Sequence, residues 1–157
     1  RLLGVLPALL RFAAGKADHG ELKGQLLRSA LGGLPRRVID AHTARFVPRL
    51  LANGIFADAR RAIDAHRSQQ DHLVLMSASV DLYVPAIAAA LGFSETVCTK
   101  VLWQGERLLG TLASANVRDQ EKLVQVRQLR QRFPDARAIA YGNSTPDLAH
   151  LDSVDQG

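Results

Sequence analysis

Hydrophobic residues are spaced differently in the two parts of the chain. Before about residue 54 they recur every three or four positions, as on one face of a helix, and no run alternates like a strand. The clearest such face consists of Leu22, Leu26, Leu27, Ala30 and Leu31. Gly32-Gly33 predicts the end of that helix, and Pro35 suits the first turn of a second helix that ends near Asn53-Gly54. The first part is therefore predicted to be a helical hairpin.

Beyond residue 54, short apolar runs alternate with helical patterns. We predict helices at about 57–68, 81–91 and 119–132 with another after Pro146, and strands at about 72–76, 95–101, 108–112 and 136–141. Gln104-Gly105 lies between the second and third of these strands and indicates a hairpin turn. Such alternation is typical of a parallel sheet with crossover helices. The sequence thus predicts an α/β fold with a small helical subdomain at its N-terminal side.

Composition narrows the functional classes only slightly. The 157 residues, 47% of them hydrophobic, are enough for one core of ordinary size and a small appended subdomain. The formal charge of +5 and the pI of about 10.0 fit attraction to phosphorylated substrates, nucleic acid or an anionic membrane surface, and equally fit a basic solvated surface. Aromatic residues make up only 5% of the chain and no nucleic-acid-binding motif occurs, so no nucleic-acid partner is expected.

Two further features concern the environment of the protein. Cys98 is the single cysteine, which excludes an internal disulfide and a zinc cluster built from cysteines, and we predict that it is a buried strand residue. The apolar run from Leu2 to Leu10 is interrupted by Pro7 and is too short to span a bilayer, although it could lie on one. We therefore expect a cytoplasmic location, with peripheral contact at the inner face of a membrane as an option.

Three polar segments follow predicted strands or begin helices, which is where ligands bind in open α/β sheets. The first, Ser77-Ala78-Ser79, combines small residues with hydroxyl groups directly after an apolar run. The Ser77 hydroxyl and the neighbouring backbone N–H groups would form a phosphate cradle. The alternative is that Ser79 merely caps a helix beginning at Asp81.

The other two segments add a cation and oxygen ligands. The segment 116–122 carries Lys122 in the first turn of a predicted helix, where an anionic partner would explain a lysine that opposes the helix dipole. The segment 139–147 presents Asn143 and then Asp147 after a glycine turn, and oxygen ligands at a strand end suit Mg²⁺. The simpler alternatives are a solvated surface lysine and a plain turn in which Ser144 or Thr145 caps a helix.

Taken in this order, the three segments resemble motifs II, III and IV of the haloacid-dehalogenase superfamily. The likeness is carried by Ser77-Ala78-Ser79 with Tyr83, by Glu121-Lys122 and by Tyr141-Gly142-Asn143-Ser144-Thr145-Pro146-Asp147-Leu148. The chain is most similar to the subfamily that includes phosphoserine phosphatases and phosphatidylglycerophosphatase C-like proteins, and the likeness covers nearly all of it. The resemblance implies a three-layer, Rossmann-like parallel sheet with crossover helices, in which residues 1–54 form a helical cap and residues 55–157 form the core.

The resemblance also implies roles for individual residues. Ser77 and Ala78 would bind the phosphoryl group, and Lys122 would be the catalytic lysine that steadies its charge. Asn143 and Asp147 would hold Mg²⁺, with Asp147 supporting either the metal or Lys122. The implied activity is magnesium-dependent hydrolysis of a phosphomonoester through an aspartyl-phosphate, on a phosphorylated small molecule or a phospholipid. The apolar first helix and the Ser77-Ala78-Ser79 segment favour the phospholipid.

One element of the family pattern does not occur among the 157 residues. No apolar strand is followed by Asp-x-Asp, the segment that supplies the family's nucleophile and general acid/base. Either the chain is a fragment that lacks this first strand and a C-terminal edge strand, or it is a relic that no longer catalyses. The rival function is a noncatalytic module whose basic helical surface binds an anionic partner. The residues that could form this surface are Arg36, Arg37, Arg45, Arg49, Arg60, Arg61 and Arg67.

Overall fold

The computed structural model describes residues 6–157, which begin with four helices. These are α1 (Leu6–Ala13), α2 (His19–Leu31), α3 (Arg36–Asn53) and α4 (Ala57–Ser68). Asp18 caps α2 by accepting a hydrogen bond from the Glu21 N–H at 2.7 Å, and Gly32 and Pro35 mark the passage to α3 as predicted. Helices in the first part are thus confirmed over residues 6–53, and the start of the Leu2–Leu10 run lies outside the described residues. Within 6–157 no helix has both the length and the apolar character needed to cross a membrane.

Beyond residue 68 the described elements alternate between strands and helices. In chain order they are β1 (Val74–Val80), α5 (Val84–Leu91), β2 (Glu95–Thr99), β3 (Val101–Gln104), β4 (Arg107–Leu112), α6 (Gln120–Arg132), a 3-10 helix (Thr145–Asp147) and α7 (Leu148–Leu151). The first three form a parallel crossover unit, in which α5 ends at Gly92 with a φ of 76°, a left-handed conformation that favours glycine. The α/β class with a parallel sheet is confirmed.

The pairing of β1 with β2 is interrupted near the end of β1. Val74 to Ser77 pair in register with Glu95 to Cys98, but the partner of Thr99 is Val80. Ala78 and Ser79 therefore bulge out of the ladder. The strand predicted at 72–76 begins later than expected and extends through the small residues that were expected to follow it. Because of the bulge, the Ala78 carbonyl accepts hydrogen bonds from side chains.

The strand predicted at 95–101 consists of two strands with different partners. β2 pairs with β1, whereas β3 forms an antiparallel hairpin with β4. Gln104 pairs with Arg107, so the two-residue turn is Gly105-Glu106, one residue later than predicted. Cys98 is a buried residue of β2, as expected, and burial raises the pKa of its thiol.

The buried strand predicted at 136–141 is wrong. This segment makes one isolated parallel bridge, between Ile139 and Gln156, and Ile139 and Tyr141 are 36% and 66% exposed. A strand inside a parallel sheet needs partners for its backbone groups along its length. Among the described residues β1 pairs with β2 alone, so segment 136–141 has no neighbouring strand that would extend the sheet. An apolar run becomes a buried strand only where such a partner exists.

Two apolar clusters connect the N-terminal helices with the later elements. One contains Ile39 of α3 together with residues of β1, β3 and β4, and the other contains Val47 of α3 together with residues of α5. α2 also packs closely on β4, where Gly110 leaves no room for a side chain beside the Arg28 backbone. Apolar contacts therefore cross residue 54, and the division into a cap (1–54) and a core (55–157) stays a prediction.

Candidate active site

Lys122 and Asp147 form an ion pair between the start of α6 and the 3-10 helix. Lys122 Nζ donates to Asp147 Oδ1, and the two side chains are only 14% and 7% exposed. This burial excludes the alternative of a solvated surface lysine. The anionic partner of Lys122 in the structure is thus the Asp147 carboxylate, 25 residues later in the same chain.

Asp147 is the acceptor around which residues 143–147 fold. Its Oδ2 accepts hydrogen bonds from the Asn143 N–H at 3.2 Å and from the Ser144 hydroxyl at 2.9 Å. Burial raises the pKa of the Asp147 carboxyl, but hydrogen bonds from Lys122, Ser144 and the Asn143 backbone outweigh it and lower the pKa to about 2. Asp147 is therefore ionised at neutral pH. Ser144 makes no capping hydrogen bond with its side chain and donates to Asp147 instead.

A buried histidine lies behind this ion pair. His150 follows Asp147 by one helical turn in α7 and is 5% exposed. Burial and the nearby Lys122 lower the pKa of its imidazole, while Asp147 opposes them. Its Nδ1 is buried and has no hydrogen-bond partner within residues 6–157. A neutral ring therefore packs next to the two charges.

Ser77 lies where β1 leaves the ladder. Its Oγ accepts a hydrogen bond from the Ser79 N–H at 3.1 Å, and its hydroxyl proton remains able to donate to an anion. Ser79 does not cap the next helix, because α5 begins at Val84 rather than at about residue 81. The capping alternative is therefore wrong, and the phosphate-binding role of Ser77 and Ala78 stays a prediction.

Three side chains form hydrogen bonds at the β1 bulge. The sequence assigned no role to any of them. Thr99 is fully buried, donates from Oγ1 to the Ala78 carbonyl at 2.8 Å and accepts from the Val117 N–H at 3.0 Å. Asn116 Oδ1 lies 3.2 Å from the same hydroxyl. Lys23 of α2 donates to both the Ala78 carbonyl and Asn116 Oδ1, at 2.5 Å in each case. We call Ala78, Thr99, Asn116 and Lys23 the bulge network.

The sequence contained a signal for one of these residues. Lys23 precedes Leu27 by four positions and so shares the apolar face of α2, where a charged group needs a polar partner. Thr99 and Asn116 gave no comparable signal, because their partners are 17 or more residues away along the chain.

The contacts of the candidate residues form two separate groups. The first is the Lys122–Asp147 pair with the turn around it, and the second is the bulge network beside Ser77. Over residues 6–157 no hydrogen bond or ion pair joins Ser77 to Lys122. Binding of one phosphate by Ser77 and Lys122 together therefore stays a prediction.

The residues expected to hold magnesium do not by themselves fit that ion. Mg²⁺ prefers six oxygen ligands in octahedral geometry, but both oxygens of Asp147 accept hydrogen bonds and one of them faces the Lys122 ammonium. Asn143 is exposed and offers a single amide oxygen. The described part of the chain contains no cluster of three or more His, Cys, Asp or Glu residues that could hold a metal. The magnesium requirement therefore stays a prediction.

One protein family matches nearly the whole chain in sequence. The family model described as haloacid dehalogenase-like hydrolase matches residues 1–152. No curated protein matches the chain.

Solved structures with the same fold support this assignment. A protein of unknown function from Bordetella pertussis Tohama I superposes with a TM-score of 0.78 at 18% identity, over 93% of this chain and 67% of that one. A probable phosphoserine phosphatase from Vibrio cholerae in its unliganded form gives 0.76 at 13% identity, over 96% and 45%. A phosphoserine phosphatase in a phospho-aspartyl intermediate analogue gives 0.66 at 15% identity, over 96% and 69%. The chain thus spans between 45% and 69% of their length, and its fold and sequence show that it belongs to the haloacid dehalogenase-like hydrolase family.

Proposed function

We propose that this chain belongs to an enzyme that hydrolyses phosphomonoesters and that binds the phosphoryl group between Ser77 and Lys122. The observation that supports the proposal is the buried Lys122–Asp147 pair. Asp147 orients the lysine but engages only one of its three N–H donors, which leaves two for an anion. Two of the similar structures carry the name phosphoserine phosphatase, which supports the same reaction class.

The proposed reaction proceeds in two displacements. An aspartate oxygen attacks phosphorus while the bond to the leaving-group oxygen breaks, and that oxygen takes up a proton as it departs. Water then attacks the aspartyl-phosphate, releasing phosphate and regenerating the carboxylate. Ser77 would donate to the phosphoryl oxygens and Lys122 would balance their charge. The 157 residues contain no Asp-x-Asp after a strand, so we assign the attacking carboxylate to none of them.

Phosphate binding tests the proposal without requiring the nucleophile. The 157-residue chain is titrated with inorganic phosphate, and Kd is measured by isothermal titration calorimetry. Lys122→Met should raise Kd at least about tenfold, because a hydrogen bond to a charged group contributes about 1.5–3 kcal/mol. Ser77→Ala removes a neutral donor and should raise Kd by a smaller factor.

The matched control is Lys100→Met, because Lys100 is an exposed lysine of the same part of the chain. Its Kd should equal that of the wild type. Urea unfolding of each variant separates loss of the fold from loss of the site. The proposal is wrong if the wild type does not bind phosphate, or if folded Lys122→Met and Ser77→Ala both bind it as the wild type does.

A phosphorylated small molecule is the first choice of substrate, and a phospholipid is the second. The observation that favours the phospholipid is the apolar surface of α1, where Leu6, Leu9 and Leu10 are 55%, 45% and 63% exposed. The phosphatase relatives favour the small molecule, since two of them are phosphoserine phosphatases by name.

The rival noncatalytic module draws less support from the structure. Arg36 stacks on Trp103 with 3.9 Å between the guanidinium carbon and the ring centroid, and Arg61 and Arg67 pair with acidic residues of α4. These arginines are engaged within the chain. Part of the positive charge of this surface is therefore already neutralised within the chain, and we do not favour this function.

A further inference from the structure

Lys23 reaches from α2 to the segment proposed to bind phosphate. Its Nζ lies 2.5 Å from the Ala78 carbonyl oxygen and 2.5 Å from Asn116 Oδ1. Ala78 directly follows Ser77, and consecutive Cα atoms are about 3.8 Å apart. The ammonium group therefore contacts the residue that follows Ser77, although it comes from the helical part that the sequence predicts to be a cap.

The hydrogen-bond partners of Lys23 do not neutralise its charge. Both partner oxygens belong to neutral groups, and within residues 6–157 no carboxylate forms an ion pair with Lys23. Burial, and then the nearby Arg118, lower its pKa. A half-buried ammonium without a counter-charge is unfavourable, and a bound anion would offset that cost. Lys122, the other half-buried lysine, already has Asp147 as its counter-charge.

A cavity of about 470 Å³ that is open to solvent shares Asn116 with this contact. It lies between the first turn of α2 and the loop 112–119, and Asn116 and Arg118 are part of its lining. The acidic side chains of the lining are already engaged within the chain as a helix cap or in ion pairs: Asp18, Glu21 and Asp119. The open side and the polar lining of the cavity leave room for a small polar group next to Asn116.

We propose that Lys23 is a substrate-binding residue that donates to the phosphoryl group held at Ser77, while the leaving group lies in the cavity beside Asn116. This inference rests on the proposed phosphatase function and adds a cation from α2 to it. Lys23 uses two of its three N–H donors in the structure, so the third is available to the anion. The substrate class that fits is a phosphomonoester with a small, polar leaving group.

The small number of lysines allows a direct test. The chain has four, Lys16, Lys23, Lys100 and Lys122, of which Lys16 and Lys100 are exposed. In a chain labelled with ¹³C at the lysine ε-carbons, inorganic phosphate should shift the Lys23 and Lys122 NMR signals with a single Kd and leave the other two unchanged. Lys23→Met should raise the phosphate Kd at least about tenfold, as expected for loss of a charged donor. Lys23→Arg should recover part of the affinity.

The possible results separate this inference from the proposed function. One result is that the Lys122 signal shifts, the Lys23 signal does not, and Lys23→Met binds phosphate as the wild type does. Lys23 then only holds α2 against β1, so this inference is wrong while the phosphatase proposal stands. If no lysine signal shifts, both are wrong. Lys16→Met is the matched control and should bind normally. If Lys23→Met does not fold, the signals of the wild type alone decide.

Discussion

The bulge network and the Asp147 turn, by which we mean residues 143–147, are held in place in different ways. In the bulge network, several hydrogen bonds meet at the fully buried Thr99 and connect β1, β2, α2 and the loop before α6. The Asp147 turn depends on one carboxylate that pairs with Lys122, and Tyr141 just before it is 66% exposed. The first region is fixed by hydrogen bonds among four elements, whereas the Asp147 turn is fixed by its ion pair with α6, and Tyr141 before it contacts His66 of α4.

This difference predicts different sensitivities. The bulge network distributes its hydrogen bonds over several partners, so that removal of one contact leaves the others in place. A buried ion pair concentrates it in two charges, and removal of one charge leaves the other without compensation. Substitutions at the Asp147 turn should therefore have larger effects than substitutions in the bulge network.

The largest effect is expected for Asp147→Ala. The substitution leaves the Lys122 ammonium without a counter-charge and removes the acceptor for the Asn143 N–H and the Ser144 hydroxyl. Removing one partner of a buried pair costs about 3–5 kcal/mol, so the free energy of unfolding in urea at pH 7 should fall by that order. Asp58→Ala is the control, because Asp58 pairs with Arg61 on an exposed face of α4 and should contribute little.

The pH dependence of this effect follows from the pKa. The Asp147 carboxyl has a pKa of about 2 in the folded chain against an ordinary value of 3.8, so its contribution to stability is present above 3.8 and is lost as the pH falls toward 2. The stability difference between the wild type and Asp147→Ala should therefore narrow in that range. A difference that stays constant down to pH 2 would show that the ion pair does not hold the turn.

An intermediate effect is expected for Thr99→Val, which keeps the shape of the side chain but removes its hydroxyl. The Val117 N–H then loses its acceptor in a buried position, and an unsatisfied buried group costs about 1–3 kcal/mol. Urea unfolding measures the loss, and amide hydrogen exchange should speed up at Val117.

Thr96→Val makes the same chemical change three residues earlier in β2, at a half-buried position. It should leave stability and the exchange of Val117 nearly unchanged. Equal effects of the two substitutions would mean that the bulge network contributes no more than strand packing does.

The smallest effect, and one of opposite sign, is expected for Asp119→Gly. Asp119 precedes α6, which carries Lys122, and adopts a φ of 49° with a ψ of −117°. Glycine adopts a positive φ without strain, which should raise the free energy of unfolding. Because glycine also gives the unfolded chain more entropy, the net gain should be about 1 kcal/mol or less. Asp135→Gly serves as control, since its φ is not positive and it should gain nothing. A loss of stability in Asp119→Gly would show that the Asp119 side chain matters more than the strain.

The sequence predicted well those elements whose ends depend on local chemistry. α3 begins after Pro35 and ends before Gly54, and α5 ends at Gly92, as these residue types predict. The helix predicted at 57–68 forms over that range. Such limits follow from backbone preferences that act over a few residues, so they can be inferred without knowledge of the tertiary structure.

The sequence failed where structure depends on distant partners. Residues 136–141 have the apolar pattern of a strand, but pairing requires a neighbouring strand, which no local pattern encodes. The bulge at Ala78 and Ser79 and its contact with Lys23 likewise depend on residues more than 15 positions away. At the candidate site, the resemblance identified Lys122 and Asp147 but left open whether Asp147 supports a metal or Lys122. The structure shows the pairing with Lys122, and the low pKa of Asp147 follows from that contact.

The one-sided pairing of β1 has a practical consequence for solution work. Val74, Leu75 and Met76 are apolar but only half buried, and among residues 6–157 no strand lies on the edge opposite β2. An apolar edge with unpaired amide and carbonyl groups can recruit a strand from a second molecule. Protein concentration should therefore be kept constant when variants of the 157-residue chain are compared.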